Sequence, residues 1–211
     1  MQVKGIIIAM VCCLLIFGST GISYAIGQGD YTLQVISNDR VVKELSGHVV
    51  IPFYSEYKLK LSNFTDRRCA VEVFIDDIDV ASGKKFIISS NQSIDLERFV
   101  VDSLHSGSKF KFVPASHPEV DNPNNINNGT VVVRFYAERD VEEIIIPYIQ
   151  DMTYTWDSLL SISTLNTSLT SVSYNEGATI GGSVSYQSFK NIDFDSEDHY
   201  VELSLKLIGR E

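Results

Sequence analysis

The sequence predicts an all-β protein, an antiparallel β-sandwich. Three observations carry that expectation. The dominant hydrophobic period is two, the runs are separated by Gly, Asn, Asp and Pro, and no segment after the first 25 residues shows a helical stripe. Residues 26–140 read as the sandwich domain and 141–178 as a Ser/Thr-rich linker or lobe. Residues 179–211 read as a C-terminal β-hairpin, either part of a smaller β-rich lobe or the closing strands of the same sandwich.

Residues 1–25 read as a secretory signal peptide. Lys4 supplies a positive start, and residues 6–18, IIIAMVCCLLIFG, form an apolar run. Small residues Ser23 and Ala25 then stand at −3 and −1 of a cleavage site. The run is about 13 residues, short of the roughly 20 that cross a bilayer as a helix. Cys12 and Cys13 lie inside it, so a lipoprotein signal is disfavoured. The expected location is extracellular or periplasmic, with no membrane span after cleavage.

The strands follow in order. Ser37, Asn38, Asp39 and Arg40 separate YTLQVI from VVKEL and read as a hairpin turn. In YKLKLSN, Tyr57, Leu59 and Leu61 oppose Lys58 and Lys60. In CAVEVFID, Val71, Val73 and Ile75 oppose Glu72 and Phe74, and Cys69 reads as a buried strand thiol. Asp76 and Asp77 mark a turn. DLERFVVDSLHSGSKFKFV, residues 95–113, crowds acids, bases and a histidine like a catalytic loop. Its alternation resolves it into strand, loop and strand, with Phe110 and Phe112 on one side and Lys109 and Lys111 on the other. Arg98 falls on the face of Ile94 and Leu96, so it is expected to be buried, salt-bridged and structural. Residues 117–129 form a long polar loop, and TVVVRFYAE and YVELSLKLIG alternate strictly. Gly181 and Gly182 read as a bulge or a close backbone approach.

The charge balance excludes several functions. The chain carries 17 Lys and Arg against 27 Asp and Glu, net −10, and loss of Lys4 makes it more negative. Nucleic acids and anionic lipids need clustered cations, so neither is an expected partner. One cysteine outlives the leader, which rules out an internal disulfide. The four histidines are widely spaced, with no HxH or HExxH, so zinc and iron are not expected. Acids cluster at Asp76, Asp77 and Asp79 and again at Asp193, Asp195, Glu197 and Asp198. The second group is a calcium candidate, weighed against a solvated acidic loop. There is no GxSxG, no SxxK and no phosphate loop. No cofactor and no enzyme activity are expected.

Two further groups of residues are candidates for contact with sugars. Asn63, Asn91, Asn128 and Asn166 begin N-x-[ST] sequons and are glycosylation candidates. Tyr154 and Trp156, in YTWD, are glycan-stacking candidates, weighed against a core aromatic.

The ordered series YKLKLSNFTDRRCAVEVFID, DLERF, KFKFV and GTVVVRFYAER, with the tail GATIGGSVSYQSF, resembles a group of uncharacterised β-rich secreted and viral proteins. That group carries IDG, LERF, FxFV and VxFYxE elements, and some members come from large DNA viruses and bacteria. Here Asp77 stands where the turn Gly is usual, and Tyr186 where a small polar residue is common. The resemblance spans about residues 31–208; it implies the β architecture and transfers no catalytic residue.

These readings converge on a secreted, non-enzymatic β-sandwich acting in protein binding or in assembly of an extracellular or surface structure. Its partner would be another protein or a copy of itself. An adhesin or carbohydrate-binding module is the alternative, with a hydrolase behind it.

Overall fold

A computed structural model describes residues 25–101, 103–139 and 175–210. They form an all-β fold with no helix among the described residues, and the sheet does not close into a barrel.

The strands are β1 (Ile26–Gln28), β2 (Tyr31–Ser37), β3 (Arg40–Val41), β4 (Glu44–Leu45), β5 (His48–Pro52), β6 (Glu56–Asn63) and β7 (Cys69–Ile75). They continue with β8 (Ile78–Asp79), β9 (Phe86–Ile88), β10 (Gln92–Leu96), β11 (Gly107–Pro114), β12 (Thr130–Ala137), β13 (Asn175–Ser185) and β14 (Val201–Arg210). One layer runs β1, β2, β6, β11 and β13, with β3 beside β2 and β10 sharing the far edge of β6 with β11. The other layer runs β8 and β9 on β7, then β12, β14, β5 and β4.

Period-two alternation explains this arrangement directly. In β2 every second residue, from Tyr31 to Ser37, is buried. In β12, Val131, Val133 and Phe135 point inward, and Leu203, Leu205 and Leu207 of β14 face the same way. The two inner faces make one core, in which Leu33 and Leu61 of the first layer join Val73 and Val133 of the second. Tyr31 stacks on Phe135 across the layers with ring centroids 4.7 Å apart.

Tight turns use the residues that tolerate a left-handed backbone. Asn38 and Asp39 have φ of 52° and 56°, and Asp76 and Asp77 have 56° and 67°. Each pair joins strands whose flanking residues stand opposite one another, Ser37 with Arg40 and Ile75 with Ile78. Two consecutive positive φ values match the right-handed twist of a two-residue hairpin.

The terminal strands take the second of the two arrangements left open by the sequence. Residues 179–211 do not form a separate terminal hairpin. β13 pairs with β14 only at Asn175 and Glu176, then crosses into the other layer to pair with β11. β14 lies between β12 and β5, so both strands complete the one sandwich. The pairing is antiparallel as expected, with the single exception of β5, which runs parallel to β14. β5 and β14 are far apart in sequence, so no tight turn dictates their relative direction. No described helix is long and apolar enough to cross a membrane.

Candidate functional site

The two layers part where the chain passes from β9, held on β7, to β10, held on β6. Asn91, with φ of 52°, makes the turn between them. The segment after β13, residues 186–200, lies across this opening as a strap. The Gln187 side chain donates to the Asp95 carbonyl and accepts the Glu97 N–H at 3.3 Å. The Phe189 N–H donates to the Leu104 carbonyl at 2.8 Å, and its ring meets Phe86 at 5.3 Å.

Between strap and strands lies an open groove of about 1020 Å³. Its walls include Phe86, Phe189, Ile94, Val100 and Leu104. Four lysines line it, Lys60, Lys84, Lys85 and Lys190, and Asp95 is the one carboxylate among the lining residues. Lys85 is engaged, 3.4 Å from Glu72 and over the Tyr136 ring. Lys60 stands opposite Asp95 in the β6–β10 register. Lys84 and Lys190 are exposed and form no ion pair among the described residues. A chain of net charge −10 therefore concentrates unspent positive charge beside apolar walls at this place.

Arg98 lies beneath the strap and is 0% exposed, as its strand parity predicts. The expected salt bridge is absent among the described residues. The guanidinium is held instead by backbone carbonyls. Nε donates to Gln187 at 2.8 Å, and Nη1 donates to Phe99, Ser103 and Ser106 at 2.8, 3.1 and 3.0 Å. The Phe189 ring covers it at 5.0 Å, and Nη2 has no hydrogen-bond partner among the described residues. Carbonyl dipoles supply the negative potential that a carboxylate would have supplied, because the 98–107 loop wraps back on its own arginine. Burial pulls the Arg98 pKa below its ordinary value, and an arginine stays charged regardless. Gly107 makes the wrap possible, since a Cβ there would sit 2.6 Å from the Phe99 oxygen and 2.7 Å from Nη1.

Asp76 is the second buried charge. Its carboxylate accepts the N–H groups of Gly129 and Thr179, tying the β7–β8 turn to the start of β12 and to β13. Burial raises its pKa to about 6, against the lowering pull of those two donors.

Most of the other acids of the sequence clusters are spent locally. Asp79 accepts the N–H groups of Ala81 and Gly83, and Asp77 accepts the side-chain amides of Asn125 and Asn127. Asp195 and Asp198 lie 3.3 and 3.6 Å from Arg139, while Asp193 is exposed. No three metal-capable side chains converge among the described residues.

Two of the sequon asparagines have structural work. Asn63 is fully buried, donating to the carbonyls of Arg67, Ile88 and Ser89 and accepting from Thr65. Asn128 is buried and donates to the Asn122 carbonyl. Neither amide is open to carry a glycan in the folded chain, whereas Asn91 is exposed on its turn. Tyr154, Trp156 and Asn166 lie outside the described residues.

His105 and Ser188 form the nearest approach to a nucleophile and base, with Nδ1 and Oγ 2.9 Å apart. Both are exposed, and no carboxylate among the described residues orients the imidazole through its other nitrogen. A serine made nucleophilic by histidine needs that third group and an oxyanion-stabilising pair of donors.

Cys69, read from sequence as a buried strand thiol, is fully buried at the start of β7, and burial pushes its pKa to about 12. A thiol held so far above neutrality is unreactive.

No family model, no curated protein and no solved structure matches this chain.

Proposed function

We propose that this chain is a secreted, non-enzymatic binding protein whose working surface is the groove under the 186–200 strap. One observation carries the reading: Lys84 and Lys190, without an ion pair among the described residues, stand beside apolar walls on a strongly acidic molecule. Free cations on a hydrophobic floor suit an extended protein segment bearing both carboxylates and apolar side chains. The groove is built from both layers, so the sandwich supplies a rigid bed and no bond-making chemistry is required of it. Secretion rests on the leader-like residues 1–25.

The test is titration with fluorescent peptides alternating Asp or Glu with Leu or Phe. The double reversal Lys84→Glu/Lys190→Glu is expected to weaken binding about tenfold, the scale of a few rim charges. Equal affinity for wild type and variant would remove the groove from consideration. Ester turnover lost in Ser188→Ala would replace the binding reading with a hydrolase.

A further inference from the structure

The geometry points to a second copy of this chain as the groove's partner, docking through the 117–129 loop in a head-to-tail contact. This rests on the groove reading above and names its occupant.

Ile126, at 87% exposed, is the most exposed large hydrophobic residue among those described. It does not sit on a slack loop. Asn125 and Asn127, on either side, donate to the Asp77 carboxylate at 3.3 and 2.8 Å. Lys206 donates to the carbonyl of Ile126 itself at 3.1 Å. Two side-chain bonds on its neighbours and one to its own carbonyl therefore restrain the loop so that the isoleucine is presented to solvent. A pre-organised apolar knob loses little entropy when it docks. Glu119 and Asp121, on the same loop, are exposed. The loop thus offers an apolar tip with neighbouring carboxylates, the chemistry that Lys84, Lys190 and the exposed Ile192 of the groove complement.

A copy's own loop is anchored away from the Ala70 end of its own groove. Ala70, at the start of β7, lines the groove, while Asp77, in the turn that closes β7, anchors the loop. Strand geometry puts those points about 20 Å apart. Knob and hole are different patches of the surface and so make a heterologous contact, which propagates as an open chain of copies unless its rotation closes a ring.

The experiment is sedimentation velocity of the leaderless protein at roughly 10 to 100 μM, where small interfaces associate. Wild type is expected to form a concentration-dependent series of species. Ile126→Glu and, separately, Lys84→Glu/Lys190→Glu are expected to remain monomers. An equimolar mixture of the two variants is expected to stop at a dimer, because the sound groove of one takes the sound loop of the other and both remaining ends are blocked. Ile126→Ser serves should the charged variant fold poorly, with circular dichroism checking each protein. A monomeric wild type, or a mixture that never dimerises, overturns the self-partner. If that monomer still binds the acidic peptides, only the occupant is wrong; if it does not, the groove reading falls as well.

Discussion

Arg98 is a cation with no ion pair among the described residues, and its surroundings say what each substitution would do. Arg98→Lys keeps the charge and loses the planar fork that reaches Gln187 in one direction and Phe99, Ser103 and Ser106 in another. It is expected to lower unfolding stability by about 2–4 kcal/mol, as buried carbonyls lose their donors. Urea denaturation measures this, and a variant as stable as wild type would mean the cage is not what holds the loop. The inward direction of Arg98 was legible in the sequence, because parity along DLERF places it with Leu96. Its partners were not. The alternation of one strand says that a charge is buried, while the identity of whatever satisfies it depends on how the following loop folds back. The bridge between Arg98 and Lys109 and the bare Cα of Gly107 decide that.

At the level of elements, the Gly181–Gly182 expectation resolves into a β-bulge. Val184 stands opposite Ser108 and Gly181 opposite Phe110, so β13 spends one residue more than β11 across the same span. The freed N–H of Ser183 donates to the Glu56 carboxylate at 2.7 Å, and Lys109 approaches the same group at 3.5 Å. The Ser183 hydrogen bond is the main reason the Glu56 pKa lies below its ordinary value. Glu56→Ala is expected to speed amide exchange at Ser183 about tenfold while costing no more than about 1 kcal/mol of global stability. Undiminished protection at Ser183 would show that the bulge does not depend on Glu56. Long strands such as β6 and β12 were legible because seven or eight residues suffice to display a period of two. β3, β4 and β8, with two residues each, cannot display any period and emerge only through their partners.

The whole molecule is tied together at Asp76, where a turn of one layer accepts the N–H of Thr179 on the strand that crosses to the other. Its native pKa of about 6 exceeds the 3.8 of a free aspartate, so the folded state binds the proton more tightly than the unfolded chain. The contribution of this group is therefore fully present below pH 3.8 and is lost as pH rises through 6. Between pH 4 and pH 7 it falls by up to about 3 kcal/mol. Asp76→Asn keeps a side chain that tolerates the positive φ, and the wild-type minus variant stability is expected to shrink across that window. Urea midpoints at pH 4, 5, 6 and 7 measure it, and a pH-independent difference would exclude the raised pKa.

The sequence by itself determined the all-β class, the alternating faces of β6, β7, β12 and β14, the tight turns at Asn38–Asp39 and Asp76–Asp77, and the acidic charge balance. Each of these is a local property, expressed over a few consecutive residues. Only the tertiary structure decided that β14 lies parallel to β5, that the terminal strands close the one sandwich, and that Arg98 is held by carbonyls. It alone assembled the groove. The lining residues run from Lys60 to Ser196, and no local pattern joins Lys84 to Lys190. They meet because β9 and β10 belong to different layers and the strap must cross the gap between them, a consequence of long-range pairing that no short window of sequence contains.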